Sequence, residues 1–195
     1  MKKKNYILSV LLVLLAIIFT ILVKIVDVNS GKDLPFGEIG EIMIAGPTVM
    51  LGYLNNEEET NKTLSIDKRG IIWTHTGDLG YMNKDGVLFF VQRLKRMLIV
   101  SGYNVYPSHI EKVIMSHPAV LNCGVVGIPH PYKVQVPKAF IVLKSDYEVS
   151  HKLKKEIKEF CSKKLAHYMI PKEFEYRESL PKTILGKVNY RELEK

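Results

Sequence analysis

From Tyr6 to Val23 the chain carries no charge, and only Ser9 and Thr20 are polar, so no face of this stretch is set apart from another. A helix with every side apolar is not the amphipathic helix of a soluble surface. These 18 residues, rising ~1.5 Å each, would span about 27 Å, enough for a thin bilayer core. Lys2, Lys3 and Lys4 precede it, as in the charged region that opens a secretory signal. The far end, Thr20 through Lys24, lacks the small residues of a cleavage site. Residues 1–23 are therefore expected to be an uncleaved hydrophobic leader, anchored in a membrane through residues 6–23. The triple lysine favours an internal N-terminus, and Lys24 and Lys32 weaken that bias.

Beyond Val23 the apolar residues recur with a period of two, between Gly- and Pro-containing turns. Lys24–Val28 alternates and meets the turn Asn29-Ser30-Gly31-Lys32. Glu41–Ala45, Ile71–Thr74 and Val87–Val91 read as further strands, with Asp85-Gly86 as a hairpin signal. Residues 24–93 are thus expected to form a small all-β unit. From Leu94 onward the period shifts. Pro107 and Ser108 open a short helix through Met115, and Ser150–His167 puts Leu153, Ile157, Phe160, Cys161 and Leu165 on one helical face. Val120–Ile128, Ala139–Leu143 and Phe174–Tyr176 read as strands, Pro181–Lys187 as a loop, and Asn189 as the cap of a closing helix. The expected fold class is α+β: a small β-subdomain followed by a compact α+β C-terminal domain over 94–195, with an N-terminal hydrophobic helix before both.

Composition narrows the function. At 47% hydrophobic and 25% charged, the chain has globular proportions. Cys123 and Cys161 cannot build a disulfide framework and read as free thiols, and no Cys/His cluster has zinc spacing. Of the net charge of +8, Lys2, Lys3, Lys4 and Lys24 contribute +4 with no acid among residues 1–24, leaving +4 for the rest. A body so mildly basic, without an aromatic–basic surface, gives no support to nucleic-acid binding.

Candidate chemistry sits in four places. Asp78, in Thr76-Gly77-Asp78 at the end of a strand, offers a carboxylate able to accept two hydroxyl hydrogen bonds. Arg93, in Arg93-Leu94-Lys95-Arg96, offers a planar fork suited to a phosphate or ribose. Gly102 and Tyr103 form a turn that permits close backbone approach. Lys187 ends Pro181-Lys182-Thr183-Ile184-Leu185-Gly186-Lys187, where an ammonium at a loop tip could stabilise charge developing on a phosphate. This is not a phosphate-binding P-loop, because Val188 follows the lysine where Ser or Thr is needed. Taken alone, each signal reads first as a turn, a basic linker or a surface lysine. The six histidines are scattered, and no Gly-x-Ser-x-Gly elbow supports nucleophilic catalysis.

Taken in order, GEIGEIMIAGPTVMLGYLNNEEET, WTHTGDLGYMNKDGVLFFVQRLKRMLIVSGYNVYPSHIE and LPKTILGKVNYREL resemble the C-terminal part of the adenylate-forming acyl-CoA synthetases, the AMP-dependent ligases of the ANL superfamily, over about 170 of 195 residues. The resemblance implies that residues 24–93 match the last β-subdomain of a large AMP-binding domain and 94–195 the small mobile domain. It implies ATP, coenzyme A and magnesium as cofactors and a carboxylic (fatty) acid as substrate. Asp78 matches the aspartate that holds the ribose hydroxyls, and Arg93 the arginine near ribose and α-phosphate. Lys95 matches the hinge, Gly102 and Tyr103 the loop lining the pantetheine tunnel, and Lys187 the adenylation lysine. Gln92-Arg93 stands where Gly-Arg or Asp-Arg is usual, and His109 where Glu is common. The loop that grips the ATP phosphates, the adenine motif and the magnesium-binding segment have no counterpart in these residues. The isolated chain is accordingly expected to be inactive or very weak in adenylation. The alternative is a membrane-tethered, non-catalytic module docking on a separate N-terminal ligase domain. The family's chemistry implies a cytoplasmic body, which the lysine bias of the leader does not, so orientation stays open.

Overall fold

The computed structural model describes residues 21–195, which divide into two compact units between Leu94 and Lys95. The expected leader lies outside the described residues as far as Thr20. Its last two residues are not helical: Leu22 and Val23 open strand β1 (Leu22–Val26), where they pair with Ala45 and Ile44. β-Branched and apolar residues with a partner strand available form a ladder rather than prolong a helix. Among the described residues no helix is long and apolar enough to cross a membrane.

The first unit is a five-stranded antiparallel sheet. β1 pairs with β2 (Gly40–Ala45), and β2 with the long β4 (Ile72–Met82). The other edge of β4 is shared by β3 (Leu64–Ile66) at residues 72–74 and β5 (Leu88–Arg93) at residues 78–82. The hairpin expected at Asp85-Gly86 joins β4 to β5, closed by Asn83 N–H donating to the Val87 carbonyl at 3.0 Å. Val26, Met43, Ala45 and Trp73 form the core of this unit. The unit is not all-β, because α1 (Glu57–Thr63) lies between β2 and β3. It buries no residue. Its start is fixed by the Asn56 side chain, which accepts from Glu59 N–H at 3.0 Å, and Glu58 pairs with Lys62 one turn on at 2.6 Å.

The second unit is built on a hairpin of β8 (Val120–His130) and β9 (Val134–Leu143). The other edge of β9 takes β10 (Glu173–Tyr176) in parallel and β6 (Leu98–Val100) in antiparallel pairing, and β6 pairs in turn with β7 (Tyr103–Val105). Successive residues of β8 and β9 face opposite ways. Cys123, Val125, Ala139 and Ile141 join the core under α2 (Pro107–Met115) and α3 (His151–Lys164), with Ile110, Ile114, Ile157 and Cys161. Val126, Phe140 and Val142 face the other way and pack with Leu180 and Leu193, the latter on α4 (Tyr190–Leu193). Helix α3 begins where expected, with Ser150 Oγ accepting from Leu153 N–H at 3.1 Å, but ends at Lys164, before a 3-10 turn at His167–Met169. Asn189 holds the N-cap position of α4 without capping a backbone donor, and its amide donates to Glu192 at 3.3 Å instead. Both cysteines are free and buried. Burial raises the Cys161 thiol to about 11 and lifts Cys123 well above its ordinary value, the latter helped by the negative charge of Glu111.

Candidate functional site

Thr76-Gly77-Asp78 was expected at a strand end; it lies inside β4. Between the pairs Met43↔His75 and Glu41↔Leu79, the single residue Ile42 of β2 faces Thr76, Gly77 and Asp78 of β4. Such a bulge exposes backbone donors and turns the strand sharply. Gly77, at φ +67°, takes the left-handed conformation that the bulge needs. Its N–H donates to Glu41 Oε1 at 3.1 Å, while Glu41 Oε2 bonds His75 Nδ1 at 2.8 Å, and His75 Nε2 reaches Ser65 Oγ at 3.1 Å. Thr76 closes the bulge: its hydroxyl donates to the Ile42 carbonyl at 2.7 Å and accepts from Asp78 N–H at 3.1 Å. Glu41 is buried, so the bulge is fastened to an acid held within the sheet.

The bulge sets Asp78 directly across from Arg93, the last residue of β5. Asp78 Oδ1 lies 2.9 Å from Arg93 Nε as an ion pair, and the guanidinium also donates to the Thr76 carbonyl at 3.4 Å. Oδ1 is buried and lacks a well-aligned hydrogen bond, while the carboxylate as a whole keeps 28% of its exposure and Arg93 keeps 58%. The two residues therefore form a charged pair at the surface, with acceptor and donor capacity left for a ligand carrying both hydroxyl and anionic groups.

In the second unit, Lys95 is exposed on a 3-10 turn, Leu94–Arg96. It rims a cleft of about 340 Å³ together with Arg96, Gln135 and Tyr190. Arg96 is fixed: its guanidinium donates to Glu111 Oε1 at 2.7 Å and lies 3.5 Å over the Tyr190 ring, and Glu111 Oε1 also accepts from Val125 N–H at 2.9 Å. Burial, and then the Glu111 carboxylate, push the Tyr190 phenol up to about 12. Ser101 and Gly102, at φ +52° and +84°, are the two-residue turn joining β6 to β7, the mirror-image turn that matches strand twist. Tyr103, next to the turn, stacks on Tyr168 with ring centroids 4.5 Å apart.

Lys187 is exposed but is not at the tip of its loop. Thr183 N–H donates to the Lys187 carbonyl at 2.7 Å and Gly186 N–H to the Thr183 carbonyl at 2.8 Å, so the tip is Ile184-Leu185-Gly186. Ile184 and Leu185 stand almost fully in solvent. Lys187 instead occupies the returning limb, where Val188 bridges to Lys182 and Asn189 N–H donates to the Pro181 carbonyl at 2.8 Å. The sequence reading missed Glu41, His75 and Glu111. Its available signal was a single acid inside an apolar run: Glu41 within GEIMIA, and Glu111 between Ile110 and Ile114. Among the described residues no group of three His, Cys, Asp or Glu could hold a metal ion.

Residues 109–187 match the family model of the AMP-binding enzyme C-terminal domain. The chain is 40% identical over 170 residues to the long-chain-fatty-acid–CoA ligase of Escherichia coli O6:H1, which covers 87% of this chain and 28% of the relative. It is 42% identical over 167 residues to the 2-succinylbenzoate–CoA ligase of Bacillus mycoides, covering 86% of this chain and 33% of the relative. The chain thus spans about a third or less of the curated relatives it matches. Among solved structures it is similar to an ATP-bound RpMatB–BxBclM chimera, with a TM-score of 0.81 and 34% identity over 89% of this chain and 34% of the other. It is similar also to the O-succinylbenzoate coenzyme A synthetase of Bacillus subtilis in complex with AMP, with a TM-score of 0.72 and 35% identity over 91% of this chain and 34% of the other.

Proposed function

Because the chain belongs to the adenylate-forming acyl-CoA ligases, whose C-terminal part it matches, we propose that it acts as the C-terminal part of an acid–thiol ligase that activates a carboxylic acid as its adenylate and passes the acyl group to coenzyme A. The observation that carries this reading is the Asp78–Arg93 pair, set across β4 and β5 by the Glu41-bound bulge. Asp78 accepts hydrogen bonds from a ribose diol, and Arg93 donates to the ribose and α-phosphate side of the same nucleotide. Bound ATP supplies the phosphorus centre at which the carboxylate is activated. Lys187 places an ammonium against the negative charge that builds there. Lys95 is the hinge about which residues 96–195 reorient between the two steps, and the turn at Gly102 and Tyr103 lines the path of the thiol arm.

No segment of this sequence resembles the loop that grips the ATP phosphates, so the chain is expected to show negligible adenylation alone. ATP–pyrophosphate exchange by the purified chain at a rate comparable to a complete ligase would overturn this. A second reading, a non-catalytic module docking on a separate N-terminal ligase domain, is favoured by one observation. Strand β5 and the residue before it expose Val87, Leu88, Phe89 and Phe90 in succession, more apolar surface than a solvent-facing strand edge normally leaves uncovered. Mixing the chain with an N-terminal ligase fragment separates the two readings. Acyl-CoA formation that disappears with Lys187→Ala supports the catalytic reading, and association without any gain of turnover supports the docking one.

A further inference from the structure

Glu41, Ser65 and His75 stand on three neighbouring strands of the first unit, β2, β3 and β4. Their side chains form one continuous line of hydrogen bonds, Glu41 Oε2 to His75 Nδ1 at 2.8 Å and His75 Nε2 to Ser65 Oγ at 3.1 Å. Strand register explains the meeting. Ser65 pairs with Trp73 and Met43 with His75, so Ser65, His75 and Glu41 share one face of the sheet. Burial is graded along the line: the Glu41 side chain keeps 9% of its exposure, His75 keeps 33%, and Ser65 is half-buried. The carboxylate is held on both oxygens, because Oε1 accepts from Gly77 N–H at 3.1 Å. An ionised carboxylate only accepts, so the ring proton sits on Nδ1. The neutral ring then turns its lone pair, at Nε2, to the Ser65 hydroxyl. An acid that fixes the ring, a ring nitrogen that takes a proton and a hydroxyl that gives one make serine a nucleophile, whatever their order in the chain.

Strand β3 also sets a donor beside that hydroxyl. Among the described residues no strand pairs with its far edge. Asp67 N–H donates to the Ile71 carbonyl at 3.0 Å, and bonded pairs alternate along an antiparallel ladder. Ser65↔Trp73 is thus the next bonded pair, and the N–H groups of Leu64 and Ile66 point away from β4. The Thr60 carbonyl takes that of Leu64, while that of Ile66, a residue 71% exposed, faces the open edge. In serine hydrolases with a nucleophile elbow, one oxyanion donor is the N–H of the residue after the nucleophile. We propose that Ser65 is the nucleophile of a site that hydrolyses activated carboxylic esters, with His75 as its base and Glu41 positioning the ring. Ser65 Oγ attacks the ester carbonyl carbon as its proton passes to His75 Nε2, and Ile66 N–H donates to the forming oxyanion. The bond from that carbon to the leaving oxygen breaks, and His75 gives the proton to the departing alcohol. Water then attacks the acyl-serine, one of its protons returns through His75 to Ser65 Oγ, and the carboxylic acid leaves.

The test uses the full chain and two probes, diisopropyl fluorophosphate and p-nitrophenyl acetate. The fluorophosphate should form an adduct on Ser65, located by peptide mass spectrometry, as fluoride leaves and His75 takes the hydroxyl proton. The acetate ester should be hydrolysed for many turnovers, whereas acetylation of surface lysines ends after one. Ser65→Ala should abolish turnover. His75→Gln, which leaves Glu41 bonded to Gly77 N–H, should slow labelling of Ser65 by roughly 100-fold, a usual contribution of a general base. Glu41→Gln tests the positioning role, because a single carbonyl oxygen cannot serve both Gly77 and His75. With Gly77 taking it, the amide nitrogen donates to Nδ1 and the ring proton moves to Nε2. Nitrogen NMR shifts of the His75 ring should report that change of tautomer, with labelling slowed by a similar factor. Three results overturn the proposal. They are no adduct on Ser65 in the folded chain, which would mean a static hydrogen-bond network only; nitrophenol release that stops once the lysines are acetylated; and labelling unchanged by His75→Gln.

Discussion

At the scale of single residues, the backbone at Val134 and the carboxylate of Asp67 are the most exposed to test. Val134 opens β9 at φ +64°, a left-handed conformation that a β-branched side chain takes only under strain, and its side chain is 71% exposed, so little packing holds it there. Val134→Gly relieves that strain at the cost of some unfolded-state entropy, and the balance is a gain of about 1 kcal/mol. In a domain of this size that gain raises the thermal midpoint by roughly 4–8 °C, which calorimetry would register. Asp67 is the opposite case, a side chain well served by its surroundings. Slight burial opposes its ionisation, but the Ile71 N–H, the Trp73 indole and the N–H and guanidinium of Arg69 together lower it from 3.8 to about 2. A carboxyl depressed in the folded state stabilises fully above its unfolded value, and that contribution is lost as the pH falls from about 4 towards 2. Unfolding of the first unit by acid should therefore steepen in this window, and Asp67→Asn should flatten it; an unchanged acid limb in the variant contradicts the assignment.

At the scale of elements, the bulge in β4 shows how a strand can be shaped by one acid. Removing the Glu41 side chain leaves the Gly77 N–H and the His75 ring without their acceptor inside the sheet. Glu41→Ala should then cost about 2 kcal/mol, with the largest amide shift at Gly77. A small, evenly spread change would mean that the bulge is held by Thr76 alone. The elements legible in the sequence were those with a clear period: β2 and β5, and the helices α2 and α3, whose buried faces recur every three or four residues. Helix α1 was not legible because EEETNKT has no apolar stripe, and only the Asn56 cap and the Glu58–Lys62 pair announce it. β3, β6 and β7 have three residues each, too few for an alternation to stand out. The parallel pairing of β10 with β9 leaves no local mark, since parallel partners are joined by a distant crossover. Asp78, Arg93 and Lys187 stand out by residue type and place, and a resemblance gives them roles, but the features that set them in position, a buried Glu41 and the backbone bonds of the turn at residues 183–186, depend on contacts that residue types do not display.

At the scale of the whole molecule, the separate placement of the charged groups bears on how a two-step ligase would use them. Asp78 and Arg93 are fixed in one unit by cross-strand pairing, whereas Lys187 stands on a hydrogen-bonded limb of the other. Arg96, one residue past the proposed hinge, is clamped by Glu111 and Tyr190, and Tyr190 lies three residues beyond Lys187. A rotation at Lys95 would then carry the limb of Lys187 as a body, without a separate loop motion. On this reading the lysine serves one half-reaction and is withdrawn in the other. With an N-terminal ligase fragment supplying the missing part, Lys187→Ala should lower adenylation by roughly 100- to 1,000-fold, the loss expected when one preorganised cation is removed from a developing charge. Thioester formation from a presynthesised acyl-adenylate should stay within about threefold of the unsubstituted chain, since a change of that size is only ~0.7 kcal/mol in barrier. Glu111→Ala distinguishes the clamp from the lysine. Freeing Arg96 and the foot of the limb should slow both half-reactions together, while Lys187→Ala slows only the first. Equal losses in both steps for Lys187→Ala would show that the lysine limb is part of the scaffold and that no cation is delivered from it.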